Sequence, residues 1–202
     1  MKKILTAAIF ALLITASAAL AADIMLTTPT KTGGPSVLEA ISNRQSATVF
    51  ARRDVDLKEL STILWAATGK NREPKGWTIP LAMGQSPYVS VYVITKDGCF
   101  LYDWEKGMLK QTSDKKMLTK AGTQAFVGTA PVILVFTTKG SGPRIDNWAE
   151  RAVGAMSQNV YLAAEALDMK TRFVVSFNKM ALIDALNIGP LSRIIAIMPI
   201  GY

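Results

Sequence analysis

Gly154-Ala155-Met156-Ser157-Gln158-Asn159-Val160-Tyr161-Leu162-Ala163-Ala164-Glu165-Ala166-Leu167 is the stretch on which the reading of this chain turns. It forms most of the longest helical run, Trp148 to Leu167. Ala152, Ala155, Ala163, Ala164 and Ala166 are small enough to let a second helix approach closely. Most of the run therefore reads as core or as a subunit interface. Gln158 and Asn159 are polar in an apolar context, and the simplest role for such groups is bonding to neighbouring backbone.

A second stretch stands well upstream. Asn43-Arg44-Gln45-Ser46 is followed by Leu60-Ser61-Thr62-Ile63-Leu64-Trp65-Ala66-Ala67-Thr68-Gly69. Asp56 is a helix cap, Leu57, Leu60, Ile63, Leu64 and Ala67 recur at helical spacing, and Gly69 is the stop. Ser36 caps a shorter helix to about Asn43, with Val37, Leu38 and Ile41 as its apolar stripe. Residues 22–36 read as an irregular leader, broken by Pro29, Gly33, Gly34 and Pro35, and residues 70–87 as loop.

Val89 to Thr95 has strand character, Asp97-Gly98 is a hairpin turn, and Cys99 to Tyr102 is the returning strand. Leu118 to Phe126 is expected to be helical. The apolar run Ala130 to Phe136 predicts a buried strand. After the long helix come a strand over Phe173 to Phe177, a helix over Lys179 to Leu186 and a strand over Arg193 to Met198. This order predicts an α+β domain over 37–202, with a mostly antiparallel sheet packed by helices.

Residues 1–21 read as a secretory signal peptide. Lys2 and Lys3 precede the short apolar run Ile4 to Ile14, and Ala19-Leu20-Ala21 is a small-x-small cleavage site. An uncleaved membrane anchor is the other reading of this segment. Cleavage predicts a periplasmic or secreted chain with no stable membrane insertion. Loss of Lys2 and Lys3 lowers the formal charge from +8 to +6. The remaining cations are scattered, which argues against nucleic acid and leaves room for a phosphate contact. Histidine is absent and Cys99 is the one cysteine, so structural zinc, Cys–His nucleophiles and Ser–His–Asp triads are excluded. Carboxylate-only chemistry and cofactor chemistry survive. Asp97, Asp103, Glu105 and Asp114 read as solvated surface, and Trp77 lies in a loop where it can line a pocket.

The two stretches and the segments between them resemble the nitroreductase-like FMN-binding family, and within it the azoline dehydrogenase branch, over about Ile41 to Tyr202. Arg44-Gln45-Ser46 is similar to the Arg-x-Ser start of that family's phosphate motif. Leu60 to Gly69 resembles its Leu-Ser-x-Leu-Leu-Trp-Ala-Ala-x-Gly helix, and Pro80-Leu81-Ala82 stands where it has Pro-Ser-Ala. Gly154 to Ala166 matches Gly-x-x-x-Gln-Asn-x-x-Leu-Ala-Ala-x-Ala, and Pro199-Ile200-Gly201-Tyr202 fits the close.

The resemblance implies FMN as cofactor, a pocket at a homodimer interface, and flavin-borne chemistry with no catalytic side chain. It implies that Arg44, Gln45 and Ser46 surround the phosphate, that Pro80, Leu81 and Ala82 run beside the ring, and that backbone near Val175 approaches its redox edge. From the residues alone, a surface arginine with a capping serine is the commoner reading of Arg44 and Ser46, and a guanidinium fork with a hydroxyl donor is the other; the resemblance favours the fork.

Thr48 replaces a second basic residue, Leu81 replaces a serine, and the sequence ends at Tyr202 where many relatives continue to a cation. Each missing charged hydrogen bond weakens anion binding by about 1–3 kcal/mol, and Arg52, Arg53 or Arg193 are the candidates to compensate. The implied function is an exported FMN-dependent oxidoreductase reducing nitroaromatics, quinones or similar flat small molecules, with the electron donor unidentified. A periplasmic flavin-fold protein without redox turnover and a secreted interaction domain are the alternatives.

Overall fold

The computed structural model describes residues 23–74, 76–80 and 88–202. The expected signal segment therefore lies outside the described residues, as do Leu81 and Ala82 of the expected ring contact. No helix among the described residues is long and apolar enough to cross a membrane.

Among the described residues, seven strands form one antiparallel sheet. Its centre is β4 (Val89–Thr95), β7 (Val132–Thr138) and β9 (Ile194–Gly201). Beyond β4 lie β5 (Gly98–Asp103), β6 (Met108–Ser113) and β1 (Ile24–Met25), and beyond β9 lies β8 (Lys170–Thr171). Both faces are covered. Val91, Val93, Leu134, Phe136 and Met198 meet Ile63 and Leu64 of α2 (Leu57–Thr68) and Val153, Met156 and Val160 of α4 (Pro143–Ala166). Ile94, Ile133, Val135 and Ile197 meet Leu182 and Leu186 of α5 (Lys179–Leu186) on the other face. Two covered faces explain the near-continuous apolar run at β7, where every residue is buried.

The helix starts follow from their caps. Ser36 Oγ accepts the Glu39 amide at 3.3 Å while the Glu39 carboxylate accepts the Ser36 amide at 2.7 Å, opening α1 (Val37–Asn43). Asp56 and Glu59 make the same reciprocal pair at 2.8 and 2.9 Å at the start of α2. Each box satisfies amides that have no intrahelical partner.

Five expectations need correction. The stripe Val37, Leu38 and Ile41 is not buried; these residues are 67%, 78% and 51% exposed, and only Ala40 of α1 is buried. Residues 70–77 are not all loop but hold a small hairpin, β2 (Lys70–Arg72) with β3 (Gly76–Trp77). Trp77 there meets Trp104 edge-on at 4.5 Å. The helix expected over 118–126 breaks into α3 (Leu118–Ala121) and a 3-10 turn at Ala125–Thr129. A Cβ on Gly122 would fall 2.7 Å from the Val127 side chain, so the chain folds back on itself only because that position is glycine. Phe173 to Phe177 is not a strand but makes two isolated bridges: Val174 exchanges bonds with Ile197 at 3.0 and 2.9 Å, and Phe177 bridges Gly122.

The last correction concerns strands the sequence reading missed. β6 has a mixed polar pattern without a clear period, and β1 lies inside the expected irregular leader, paired to β6 at Ile24↔Leu109. The leader is also tied to α2, since the amides of Thr27 and Thr30 donate to Ser61 Oγ and Thr62 Oγ1 at 3.1 and 2.9 Å.

Candidate functional site

Arg44 is the C-cap of α1, where its amide donates to the Ala40 carbonyl and the chain turns extended. The extended segment is then sewn to β8. The Ala47 amide donates to the Thr171 carbonyl at 3.0 Å, and Ser46 bridges Thr171 in parallel. Thr171 is anchored in turn, its buried hydroxyl donating to the Pro199 carbonyl at 2.9 Å. A helix end, a loop and the sheet edge thus converge at one point.

Tyr161 stands at that point. Its ring lies beneath the Arg44 guanidinium, 4.9 Å from the guanidinium carbon to the centroid. Its hydroxyl oxygen accepts the Phe173 amide at 2.8 Å and lies 2.8 Å from Ser46 Oγ. Arg44 makes no ion pair among the described residues, and its Nε is buried without a hydrogen-bond partner. A buried guanidinium nitrogen left unpaired is costly in water-free surroundings, and an anion on the same fork would offset that cost. Ser46 is exposed beside it. The donor set therefore fits a phosphate monoester.

The other expected residues are distributed around this point. Gln45 is exposed and makes no hydrogen bond among the described residues. Val175 is 68% exposed, two residues beyond the Phe173 amide, and its own N–H has no partner among the described residues. Pro80 is exposed and follows buried Ile79; no hydrogen bond joins it to Arg44 or Ser46. It is positioned from behind, because Asn159 of α4 donates to the carbonyls of Thr78 and Ala66, each at 3.0 Å. Asn159 bonds backbone, as its sequence context implies, and Gln158 is exposed. A cavity of about 340 Å³ beside Asn159 is lined by Val37, Ala40, Trp65, Thr78 and Leu162, and the exposed start of α1 forms its rim.

The arginines offered as compensation are mostly engaged. Arg193 pairs with Glu150 at 2.7 Å and Asp146 at 3.6 Å, near the start of α4. Glu150 and Tyr161 are separated along α4 by roughly 16 Å at 1.5 Å per residue, which keeps Arg193 away from the cluster of Arg44, Ser46 and Tyr161. Arg53 lies over the Tyr202 ring at 3.7 Å. Arg52 is exposed without an ion pair among the described residues. Thr48 is exposed and carries no charge.

Side-chain nucleophiles are not prominent here. Cys99 is fully buried, and burial pushes its thiol above the ordinary range, which keeps it protonated and unreactive. Asp103 is held below the usual carboxylate range, first by Lys110 at 2.6 Å and also by the Lys106 and Glu105 amides. It is a turn-forming, ion-paired residue. No group of three or more acidic or cysteine side chains suited to a metal ion occurs among the described residues.

Tyr161 was not singled out in the sequence, although it stands inside the quoted helix. Its signal was a phenol in an otherwise apolar run, since a buried Tyr hydroxyl needs a partner. The partners lie 115 residues before it and 12 after it, and no local pattern names them.

Fold and site together define a class. The sequence profile of the nitroreductase family matches residues 41–202, and the chain belongs to that family. Its particular relatives are similar at moderate distance. A Methanocaldococcus jannaschii protein assigned to the nitroreductases is 28% identical over 179 residues, covering 81% of this chain and 89% of that protein. A crystal structure from Ralstonia eutropha, likewise assigned to the nitroreductases, superposes with a TM-score of 0.81 at 28% identity, covering 89% of this chain and 88% of the other. A Desulfovibrio desulfuricans structure in complex with FMN superposes with a TM-score of 0.61 at 22% identity, covering 83% and 86%.

Proposed function

We propose that this chain is an FMN-dependent oxidoreductase acting on nitroaromatics, quinones or similar flat electrophiles. One observation carries the reading: Arg44, with its buried unpartnered Nε, lies over the same tyrosine ring whose hydroxyl touches exposed Ser46. FMN supplies the acceptor and donor of hydride equivalents, which a chain without histidine and with an inert thiol does not otherwise contain. Arg44 and Ser46 would hold the phosphate, the guanidinium as a forked donor and the hydroxyl as a second donor. The unpartnered Val175 N–H would be a donor for the ring's polar edge, and Pro80, held through Thr78 by Asn159, would stand beside the ring.

The absorbance spectrum of the purified protein, with and without supplied FMN, tests this directly. A flavin band that persists through gel filtration supports it; a protein that ignores added FMN ends it. Arg44→Ala lowers FMN affinity about 10- to 100-fold, the loss of one charged hydrogen-bond pair, while circular dichroism stays unchanged.

We propose further that the pocket is completed by a second copy of the chain. Val37, Leu38, Ile41, Val49 and Val175 are all more than half exposed in the single chain, and Val37, Leu38 and Ile41 lie together on α1 as apolar side chains that a partner would cover. Leu38→Glu is expected to convert a dimer to a monomer in sedimentation without altering the circular dichroism. The Leu60–Gly69 and Gly154–Ala166 motifs support placement in the azoline dehydrogenase branch. Lys2 to Ala21 supports export and cleavage before Ala22, which N-terminal sequencing of the processed protein checks. An exported chain does not meet cytoplasmic nicotinamides, so its electrons come from a membrane quinol or a partner protein.

A flavin-binding protein without turnover is the second reading. It is favoured by uncharged Thr48 and by the engagement of Arg53 and Arg193 elsewhere, which leave Arg44 and exposed Arg52 as the cations for the anion grip. Steady-state turnover with any donor and acceptor pair removes it.

A further inference from the structure

Tyr161 is 9% exposed, sits on α4 and touches three residues of two other segments, yet neither the flavin reading nor the nitroreductase motif assigns it a task. Its hydrogen bonds can be counted. A phenol has one proton to give. Its oxygen already accepts the Phe173 N–H at 2.8 Å. Among the described residues, Ser46 Oγ, also at 2.8 Å, is the acceptor within reach for its proton. In that arrangement Ser46 accepts from Tyr161, and the Ser46 proton is free to turn outward from an exposed position. The reverse arrangement, with Ser46 donating inward, leaves the phenol proton without an acceptor in a buried place. The first arrangement satisfies every group, and it alone leaves Ser46 a donor. The same ring carries the Arg44 guanidinium on its face at 4.9 Å, a cation–π contact that holds the plane of the fork.

We infer that Tyr161 is a positioning residue for the phosphate end of the flavin: its hydroxyl turns the Ser46 proton outward while its ring holds Arg44 level. The inference rests on the FMN reading. It adds that selectivity for FMN over riboflavin depends on a residue that touches neither.

The test is the dissociation constant of FMN and of riboflavin for the unsubstituted protein, Tyr161→Phe, Ser46→Ala and the double variant. Tyr161→Phe keeps the ring and loses the hydroxyl. It is expected to weaken FMN by about 3- to 10-fold, the scale of one hydrogen bond acting through another, and to leave riboflavin unchanged. The double variant is expected to match Ser46→Ala, because Tyr161 acts through Ser46. Equal loss of both flavins marks a merely structural role and overturns the proposal, as does an unchanged ratio. If the unsubstituted protein binds neither flavin, the FMN reading itself has failed. That outcome is distinct from a protein that binds FMN but is indifferent to Tyr161→Phe.

A second measurement is independent of how well Tyr161→Phe folds. With the Tyr161 ring carbon that bears oxygen isotopically labelled, inorganic phosphate is expected to shift its resonance in the unsubstituted protein and not in Ser46→Ala. A resonance that ignores phosphate in both overturns the proposal.

Discussion

Asn159 and Thr78 are joined by a 3.0 Å hydrogen bond across 81 residues of sequence, from the side-chain amide of α4 to a carbonyl two residues before Pro80. The second hydrogen of the same amide reaches the Ala66 carbonyl near the end of α2. Both acceptors are carbonyls, so the NH₂ group and not the amide oxygen must face them. One side chain therefore sets where the segment leading into the expected ring contact leaves the core.

Replacing Asn159 with Leu leaves two carbonyls without their partner. The expected cost is about 2–4 kcal/mol, from two unsatisfied buried acceptors, read as a lower urea midpoint. FMN binding is expected to weaken as well, because the Pro80 segment is no longer tied down.

Asp56→Ala removes the side-chain acceptor of the Glu59 amide and frees the Glu59 carboxylate from its reciprocal bond. The expected loss is about 1 kcal/mol. Asp56→Ser keeps an acceptor there and is expected to recover most of it in the same denaturation measurement.

Leu134 is fully buried at the centre of β7, between Val93 of β4 and Met198 of β9. Leu134→Ala is expected to cost about 2–5 kcal/mol, the transfer term plus the cavity. Thermal unfolding should show this as a lower midpoint with cooperativity retained.

The Tyr102 phenol is pushed from 10.0 up to about 12, chiefly by burial and then by the Asp103 charge. The unfolded chain loses this proton at lower pH than the folded chain does. The contribution is therefore intact below pH 10 and is lost as pH rises towards 12. It amounts to about 2–3 kcal/mol. Tyr102→Phe is expected to flatten the fall in stability across that window, measured by urea unfolding at several alkaline pH values.

Much of the architecture could be read along the chain. Ser36 and Asp56 mark helix starts because their side chains cap amides within three residues. Lys179 to Leu186 was expected as a helix and is one. Val89 to Thr95 and the turn at Asp97-Gly98 announced their hairpin, since Gly98 takes a φ of +148° that a side chain disfavours. The misread segments are those whose backbone bonds go to distant partners. Phe173 cannot continue a strand because its amide is taken by Tyr161, and Met108 to Ser113 becomes a strand because β5 and β1 flank it. The site divides the same way. Arg44 and Ser46 were visible as a motif, whereas Tyr161 was visible only as an unexplained phenol.

By itself the sequence determined the helix starts, the buried strands, the nitroreductase motifs and the lack of a histidine or paired-cysteine chemistry. These rest on interactions within a turn or two, or on which side chains exist at all. Tertiary structure alone decided that Arg44, Ser46, Tyr161 and Phe173 meet, that Arg193 is spent on Asp146 and Glu150, and that the apolar side of α1 faces outward. Those outcomes depend on how α1, α4 and β8 pack, and packing is a property of the whole chain that no window of neighbouring residues contains.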